Sequence, residues 1–236
     1  MKVRGQRECQ SCGHRWSYYE TGSVACPSCE SLRSVGVDER SLHTDAPTTL
    51  DLTPYRTAWA EDRLADCVED CKRDLREYRR QRGFIDGGDL LPLDDTVLAA
   101  NELLQVVDLF GRTRTPTDAD ERYLHALLRD ADEGERPPVD TVSDAWASAR
   151  GLGYANAIAD YRHDVADWLD EHPDEEARQT LGTIHEHVKR VQALEGDVSL
   201  DEAESLVAAT RDVGRYLIEG EISALASARE RLESLV

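Results

Sequence analysis

The sequence contains little lysine, one methionine and no long run of apolar residues. Only Lys2, Lys72 and Lys189 are lysine, so nearly all of the 28 basic residues are arginine, against 48 acidic residues. No run approaches the roughly 20 apolar residues that a membrane-spanning helix needs. The first residues, MKVRGQRECQ, lack the apolar segment of a signal peptide. We therefore expect a cytoplasmic protein that makes no membrane contact.

The net charge of −20 is typical of proteins from a high-salt cytoplasm, where surface carboxylates hold hydrated cations. We expect a halophilic, haloarchaeal source, and an acidic protein from an ordinary cytosol is the alternative. Because salt weakens contacts to phosphate, this composition argues against broad, nonspecific binding of nucleic acid. It leaves room for one small contact face.

The charge is distributed unevenly along the chain. Residues 1–43 contain six basic and five acidic residues, whereas residues 44–236 contain 22 basic and 43 acidic residues. The stretch HTDAPTTLDLTP has two prolines and few apolar groups, which is typical of a linker. We therefore predict a small domain at 1–43, a linker at 44–53 and an acidic domain at 54–236.

The acidic domain has the apolar spacing of helices. Thr53 followed by Pro54 predicts a helix start, and Gly83 predicts its end, so we expect one helix from Pro54 to Arg82. Its apolar residues recur at steps of three and four, which places them on one face. They are Leu64, Val68, Cys71, Leu75 and Tyr78.

Further helices follow, and they predict an all-helical bundle. The run TVLAANELLQVVDLF (96–110) has little polar surface and predicts the central helix, and Thr117 is the predicted cap of the next one. Gly151 and Gly153 predict a bend or break in a later helix. Beyond it, two helices joined at EGDVS predict an antiparallel hairpin, whose second helix begins after Ser199 and runs to the C terminus. The fold class is thus mainly α, with a small N-terminal β region.

The stretch CQSCGHRWSYYETGSVACPSC contains two Cys-x-x-Cys pairs. In a reducing compartment such pairs are metal ligands, and the four-sulfur set favours zinc over an iron centre or a redox dithiol. Strand formers on either side of ETGS predict a hairpin, and LRSVGVDE is expected to complete the sheet. We predict a zinc ribbon with one structural Zn²⁺, which four thiolates saturate. Its ligands are Cys9, Cys12, Cys26 and Cys29.

This cassette resembles the N-terminal ribbon of a group of haloarchaeal zinc-ribbon proteins, and that ribbon is similar to the one in archaeal transcription factor B. The resemblance covers roughly the first 43 residues and includes the four cysteines. It implies a domain that docks on RNA polymerase, and so a protein-binding role as readily as a nucleic-acid one. The helical part lacks the paired cyclin-like repeats of an initiation factor, so promoter recognition is not carried over.

Aromatic residues of the ribbon have two interpretations. Trp16, Tyr18 and Tyr19 are either the small core of the domain or a contact face for a base or a partner side chain, with Arg15 beside them. Because side chains alternate along a strand, Trp16 and Tyr18 are expected on one face and Tyr19 on the other. One set can then form the core while the other forms the contact.

The run KRDLREYRRQR (72–82) is basic in an otherwise acidic domain. Cations in the last turns of a helix interact favourably with its dipole. The alternative is a basic patch that binds phosphate or an acidic partner, together with Arg112 and Arg114. The candidate contact residues of this run are Arg76, Arg79, Arg80 and Arg82.

No catalytic pattern is visible: the sequence has no Gly-rich phosphate loop, nucleophile elbow or tuned carboxylate pair. Cys67 and Cys71 lie one helical turn apart beside Val68 and are expected in the core. The sequence therefore predicts a nonenzymatic zinc-ribbon adaptor for a macromolecular machine, most plausibly in transcription, whose helices bind a second partner or self-associate. The alternative is a nucleic-acid-binding protein that uses the ribbon aromatics and the 72–82 arginines.

Overall fold

The computed structural model of the protein describes residues 1–112 and 117–235. These residues are mainly α-helical with a small β region at the N terminus, which confirms the predicted fold class. None of the helices in the described ranges is both long and apolar enough to cross a bilayer.

Five short strands form the N-terminal region, which we call the ribbon (residues 1–43). A three-stranded antiparallel sheet has the order β3-β2-β4, and β1 pairs with β5. The predicted completion of the sheet by LRSVGVDE is confirmed, because Ser34 to Gly36 pair with Arg7 to Cys9. The strands are β1 (Lys2–Arg4), β2 (Gln6–Cys9), β3 (Arg15–Ser17), β4 (Ser34–Gly36) and β5 (Arg40–Leu42).

The predicted hairpin around ETGS is wrong. Helix α1 (Tyr18–Thr21) occupies this position, because the Ser17 hydroxyl accepts a hydrogen bond from the Glu20 N–H at 3.3 Å and caps it. Gly22 ends the helix in the left-handed region, with φ of 60°. Strand β3 therefore pairs with β2 rather than with the residues after the glycine.

Eight helices of the described chain form the bundle (residues 53–235). Helix α4 lies at its centre and packs against α3, α5 and α6, as its apolar sequence predicts. Helices α7 and α8 form the predicted hairpin, and α8 packs against α9. The helices are α2 (Thr53–Ala60), α3 (Leu64–Gln81), α4 (Asp95–Arg112), α5 (Asp118–Asp130), α6 (Asp144–Leu169), α7 (Glu175–Ala193), α8 (Leu200–Glu219) and α9 (Ile222–Glu233).

Two predicted helices are each divided in the structure. The helix expected from Pro54 to Arg82 is divided into α2 and α3. Between them Asp62 has a φ of 55°, and the Arg63 N–H donates to the Ala58 carbonyl at 2.8 Å. The helix expected up to the C terminus ends at Gly220, which has a φ of 72°. At both points a left-handed residue closes the last turn, so the chain turns away.

A break at Gly151 and Gly153 does not occur, because α6 is continuous from Asp144 to Leu169. These glycines allow close packing instead. A Cβ at Gly153 would lie 2.8 Å from the Cα of Glu102, and one at Gly151 would lie 2.5 Å from the Gly196 carbonyl oxygen. The predicted cap of α5 is confirmed, since Thr117 and Asp120 form a reciprocal capping box.

The stretch predicted as a linker, residues 44–53, contacts the bundle closely. The Thr44 N–H donates to the Ile85 carbonyl at 2.9 Å, and the Thr44 hydroxyl donates to Asp164 at 2.6 Å. Leu50 and Leu52 are buried in the core of the bundle. The ribbon is therefore connected to the bundle through a segment that is itself packed.

Candidate metal centre

Two tight turns of the same shape present the four cysteines. The first has a hydrogen bond from the Gly13 N–H to the Cys9 carbonyl at 2.9 Å, and the second has one from the Glu30 N–H to the Cys26 carbonyl at 2.8 Å. Gly13 and Glu30 both lie in the left-handed region, with φ of 75° and 58°. Each turn thus needs a left-handed residue directly after its second cysteine, and glycine adopts that conformation without a steric cost.

The four sulfur atoms all lie within 4.8 Å of one another. The Sγ atoms of Cys9 and Cys29 are 3.6 Å apart, and those of Cys12 and Cys26 are 3.7 Å apart. Four thiolates at about 2.3 Å from a zinc ion in a tetrahedron would be about 3.8 Å apart. The cluster can thus hold one metal ion with the predicted ligands.

The thiols of the cluster differ in acidity. Burial opposes ionisation of Cys9, but N–H groups of Ser11 and Cys12 point at its sulfur, and together they lower the pKa of Cys9 to about 6. A Ser31 N–H lowers the pKa of Cys29, but the neighbouring thiols outweigh it and raise that pKa to about 12. One sulfur ionises readily and a close neighbour does not, which is the arrangement that a bound cation relieves.

The ribbon aromatics are divided between its core and its contact with the bundle. Trp16 is buried with Cys9 and Cys26, and its indole N–H donates to the Ser23 carbonyl at 3.1 Å. Tyr18 and Tyr19 are half-buried and lie in α1. The expected alternation of faces therefore does not apply beyond Ser17, because the backbone is no longer extended.

Tyr19 is wedged between the ribbon and the bundle. A Cβ added at Gly5 would lie 2.2 Å from the Tyr19 ring, and one at Gly87 would lie 2.8 Å from it. Gly87 is in a short hairpin of the bundle formed by β6 (Ile85–Asp86) and β7 (Asp89–Leu90). The ring of buried His43 is centred 4.4 Å from that of Tyr19. Because Gly5 and Gly87 have no side chain, the Tyr19 ring fits between them.

The arginines predicted as contact residues are mostly held by carboxylates. Arg79 pairs with Asp160, and Arg80 pairs with Glu77 in the preceding turn. Arg82 lies 2.6 Å from Asp45 and 2.8 Å from Asp94. Arg15, on the ribbon, lies 2.6 Å from Glu8 and is exposed.

Arg76 is exposed and forms no ion pair with the described residues. It shares a cleft of about 420 Å³ with Arg79, Arg80 and Arg82, in which His163, Asp160 and Asp164 also lie. Arg112 pairs with Asp108 at 2.5 Å, and Arg114 lies outside the described residues. The arginines of the run therefore lie among acidic groups and do not form a purely basic patch.

The expected core position of Cys71 is confirmed, since it is fully buried, and burial raises the pKa of its thiol to about 12. Cys67 is partly buried and packs against the same core. Neither residue belongs to a metal-ligand group among the described side chains.

The bundle contains a buried ion pair that the sequence pattern does not predict. Glu102 and Arg150 are almost fully buried, and the Arg150 Nε lies 3.0 Å from the Glu102 Oε1, which also accepts from the Tyr123 hydroxyl. Burial raises the pKa of Glu102, and the charge of Arg150 opposes this. The available signal is Glu102 in the middle of the apolar run TVLAANELLQVVDLF, because a charge at a core position of a helix requires a buried partner.

A family model described as a family of unknown function, DUF7117, matches residues 1–232, and the chain belongs to this family. The match covers the cysteine turns and nearly all of the bundle. No curated protein and no solved structure matches the chain.

Proposed function

We propose that the chain is a nonenzymatic adaptor in which one structural Zn²⁺ holds the ribbon and the ribbon contacts a macromolecular machine. The sulfur spacing of the four-cysteine cluster supports zinc, because it fits the edges of a tetrahedral thiolate site. Four thiolates leave no open position for a reacting water, which supports a structural role for the ion.

Exposed apolar side chains of the ribbon carry the proposal. Leu32 is 74% exposed on the second cysteine turn, and Val24, Val35 and Val37 are each more than two-fifths exposed. In the bundle, which is several times longer, the comparably exposed large apolar residues among those described are Val139, Leu194, Ile218 and Ile222. A small domain that exposes this much apolar surface is typical of a protein-binding module.

The similarity of the cassette to the ribbon of archaeal transcription factor B suggests a transcription complex as the machine. The strongly acidic bundle and the paucity of lysine suggest a haloarchaeal cytoplasm as its location. The bundle would then bind a second partner or a second copy of the chain. The alternative, nucleic-acid binding through the 72–82 arginines, is disfavoured because carboxylates already pair with Arg79, Arg80 and Arg82.

The proposal is tested by crosslinking in native cells at high KCl and isolating the tagged full chain with and without nuclease. We expect a defined set of proteins that survives nuclease treatment and is lost with Leu32→Asp. The matched control is Ile222→Asp, which changes a residue that is 80% exposed on the bundle. Both variants should retain one equivalent of zinc.

Two results would contradict the adaptor. Loss of all partners on nuclease treatment would favour nucleic acid as the primary ligand. Equal loss of partners in the Leu32→Asp and Ile222→Asp variants would show that the ribbon surface has no special part in docking.

A further inference from the structure

A groove on the ribbon is lined by four cations and no carboxylate. Its volume is about 320 Å³. The remaining lining residues are small or apolar, apart from one aromatic ring, that of Tyr18. The cations are Lys2, Arg4, Arg7 and Arg40.

Strand register brings these cations together. Arg4 and Arg40 face each other directly across the antiparallel pair of β1 and β5. Like charges in this position repel and destabilise a pair of strands. Gly36 gives the Arg4 side chain its space, since a Cβ there would lie 2.5 Å from it. The fold thus keeps the two guanidinium groups close together, and a bound anion would reduce their repulsion.

Arg7 is held at the same groove by hydrogen bonds to uncharged groups, and no carboxylate neutralises it. Its Nε and one terminal nitrogen donate to the Ser34 hydroxyl at 3.1 Å and 3.0 Å. Arg4 donates to a backbone carbonyl, that of Asp38. These bonds orient two guanidinium groups and leave their positive charge for another partner.

Three of the four groove cations have no carboxylate partner among the described residues, which is unusual for the molecule. In the described bundle, sixteen arginines lie within 4.0 Å of a carboxylate, and the exceptions are Arg76, Arg122 and Arg162. In the ribbon, Arg15 alone is paired with a described carboxylate, while Arg4, Arg7, Arg33 and Arg40 are not. Of the groove cations, only Lys2 has such a partner, Glu171 at 3.1 Å.

We propose that this groove binds the phosphate backbone of single-stranded nucleic acid. A groove lined by cations and one aromatic ring is an arrangement that binds phosphates and stacks a base, and Tyr18 is the stacking residue of this groove. The bundle beside the groove, whose Glu171 lies 3.1 Å from Lys2, carries a large excess of carboxylates, which repel a broad duplex. This binding is separate from the protein contact of Leu32 and does not depend on it.

The test uses the metal-loaded full chain and a fluorescent oligo-dT of about twelve nucleotides, a length within the range of known single-strand sites. Binding is followed by anisotropy from about 0.1 to 1 M KCl. We expect Arg4→Gln/Arg40→Gln to weaken binding at least about tenfold and to reduce the salt slope by about 0.7 for each lost phosphate contact. Tyr18→Leu should weaken binding by about fivefold or more, as loss of one stacked base does.

The matched control is Arg33→Gln, since Arg33 is an exposed ribbon arginine outside the groove. The Arg40 side chain donates no hydrogen bond to a described residue, so the single variant Arg40→Gln should remove a charge without unfolding the ribbon. The zinc content of the variant shows whether the ribbon is still folded. The proposal is overturned if oligo-dT does not bind, or if Arg33→Gln weakens binding as much as Arg40→Gln. Equal or tighter binding of a poly-glutamate peptide, of a DNA duplex or of inorganic phosphate would also overturn it.

Discussion

The ribbon and the bundle are stabilised by different means. The separate buried apolar cluster of the ribbon consists of Cys9, Trp16 and Cys26. The cluster of the bundle takes side chains from all eight of its described helices and also includes Leu42 of β5. A cluster of three residues buries too little apolar surface to offset the conformational entropy of a folded domain. We therefore expect the ribbon to depend on a metal ion bound at its sulfur cluster, and the bundle to depend on its core.

The same contrast extends to the charges. Most described arginines of the bundle form ion pairs within the bundle, while most arginines of the ribbon have no described carboxylate partner. Exposed apolar residues are likewise concentrated on the ribbon. A metal bound by the four cysteines would stabilise the ribbon, and its other side chains would then be left for external partners.

Removal of the metal should separate the two regions most strongly. Structural zinc contributes about 10–16 kcal/mol in small zinc domains, so a chelator should unfold the ribbon and leave the helices folded. Hydrogen exchange would show loss of protection at Cys9 and Cys26 and retention in α4. Cys12→Ser should act like the chelator, while Cys67→Ser should keep the metal. Loss of helical circular dichroism on chelation would instead show that the bundle depends on the metal.

Breaking the buried ion pair should damage the bundle and spare the ribbon. Arg150→Met leaves the Glu102 carboxylate buried without its cation, at a cost of about 3–5 kcal/mol in the free energy of unfolding. Denaturant unfolding would measure this loss. The double variant Arg150→Met/Glu102→Leu should recover much of it, because no charge is then buried. Reduced metal stoichiometry in Arg150→Met would contradict the independence of the two regions.

What the sequence reveals differs between the two regions for a physical reason. The cysteine cluster and the Thr117 cap depend on residues close together in the chain, and both are predicted correctly. The division at Asp62 was missed because a non-glycine residue takes the left-handed conformation there. Gly153 was misread as a helix breaker because its role depends on Glu102, which lies on another helix.

The groove of the ribbon illustrates the same limit. Arg4 and Arg40 are far apart in sequence, and only the register of β1 with β5 makes them face each other. The basic run at 72–82 drew attention because its charges are contiguous, yet the fold pairs most of them with acids. We therefore expect charge that the fold leaves unpaired to be a better guide to a binding surface than contiguous charge.

Loss of the Tyr19 ring should loosen the contact between the two regions without unfolding either. Tyr19→Ala empties the space between Gly5 and Gly87 and should cost about 2 kcal/mol at this contact. Small-angle scattering should show a broader distribution of distances, and metal content should not change. Tyr19→Phe is the matched control and should behave like the wild type. An unchanged scattering profile in Tyr19→Ala would show that residues 44–53 hold the ribbon by themselves.

Acid should loosen the same contact through His43. Its Nδ1 accepts from the Gly87 N–H at 3.3 Å, which requires the neutral ring, so the Asp86 oxygen 3.4 Å from the same nitrogen does not form an ion pair. Burial lowers the pKa of His43, although Asp86 and Asp45 oppose this and the N-terminal amine adds to it. The unfolded state then binds the proton more readily, so stability falls as the pH drops below about 6.5.

Hydrogen exchange at the Gly87 and Thr44 amides would measure this effect. Protection should decrease between about pH 7.5 and pH 5.5, beyond the change in intrinsic exchange rate, and His43→Gln should flatten that decrease. A decrease of the same size in the His43→Gln variant would assign it to other groups.

The smallest expected effects compare the two cysteine turns with each other. Glu30 and Gly13 occupy equivalent left-handed positions, but only Gly13 adopts this conformation without a steric cost. Glu30→Gly should therefore stabilise the ribbon by about 0.5–1 kcal/mol, and Gly13→Ala should destabilise it by about 1 kcal/mol. Nothing lies within 4 Å of an added Cβ at Gly13, so the cost there is that of the backbone alone. Competition with a chelator measures the metal affinity, which should rise for Glu30→Gly and fall for Gly13→Ala. The thermal transition of the bundle should stay constant in both variants. A shift of the metal affinity in the same direction would show that the turns are not equivalent.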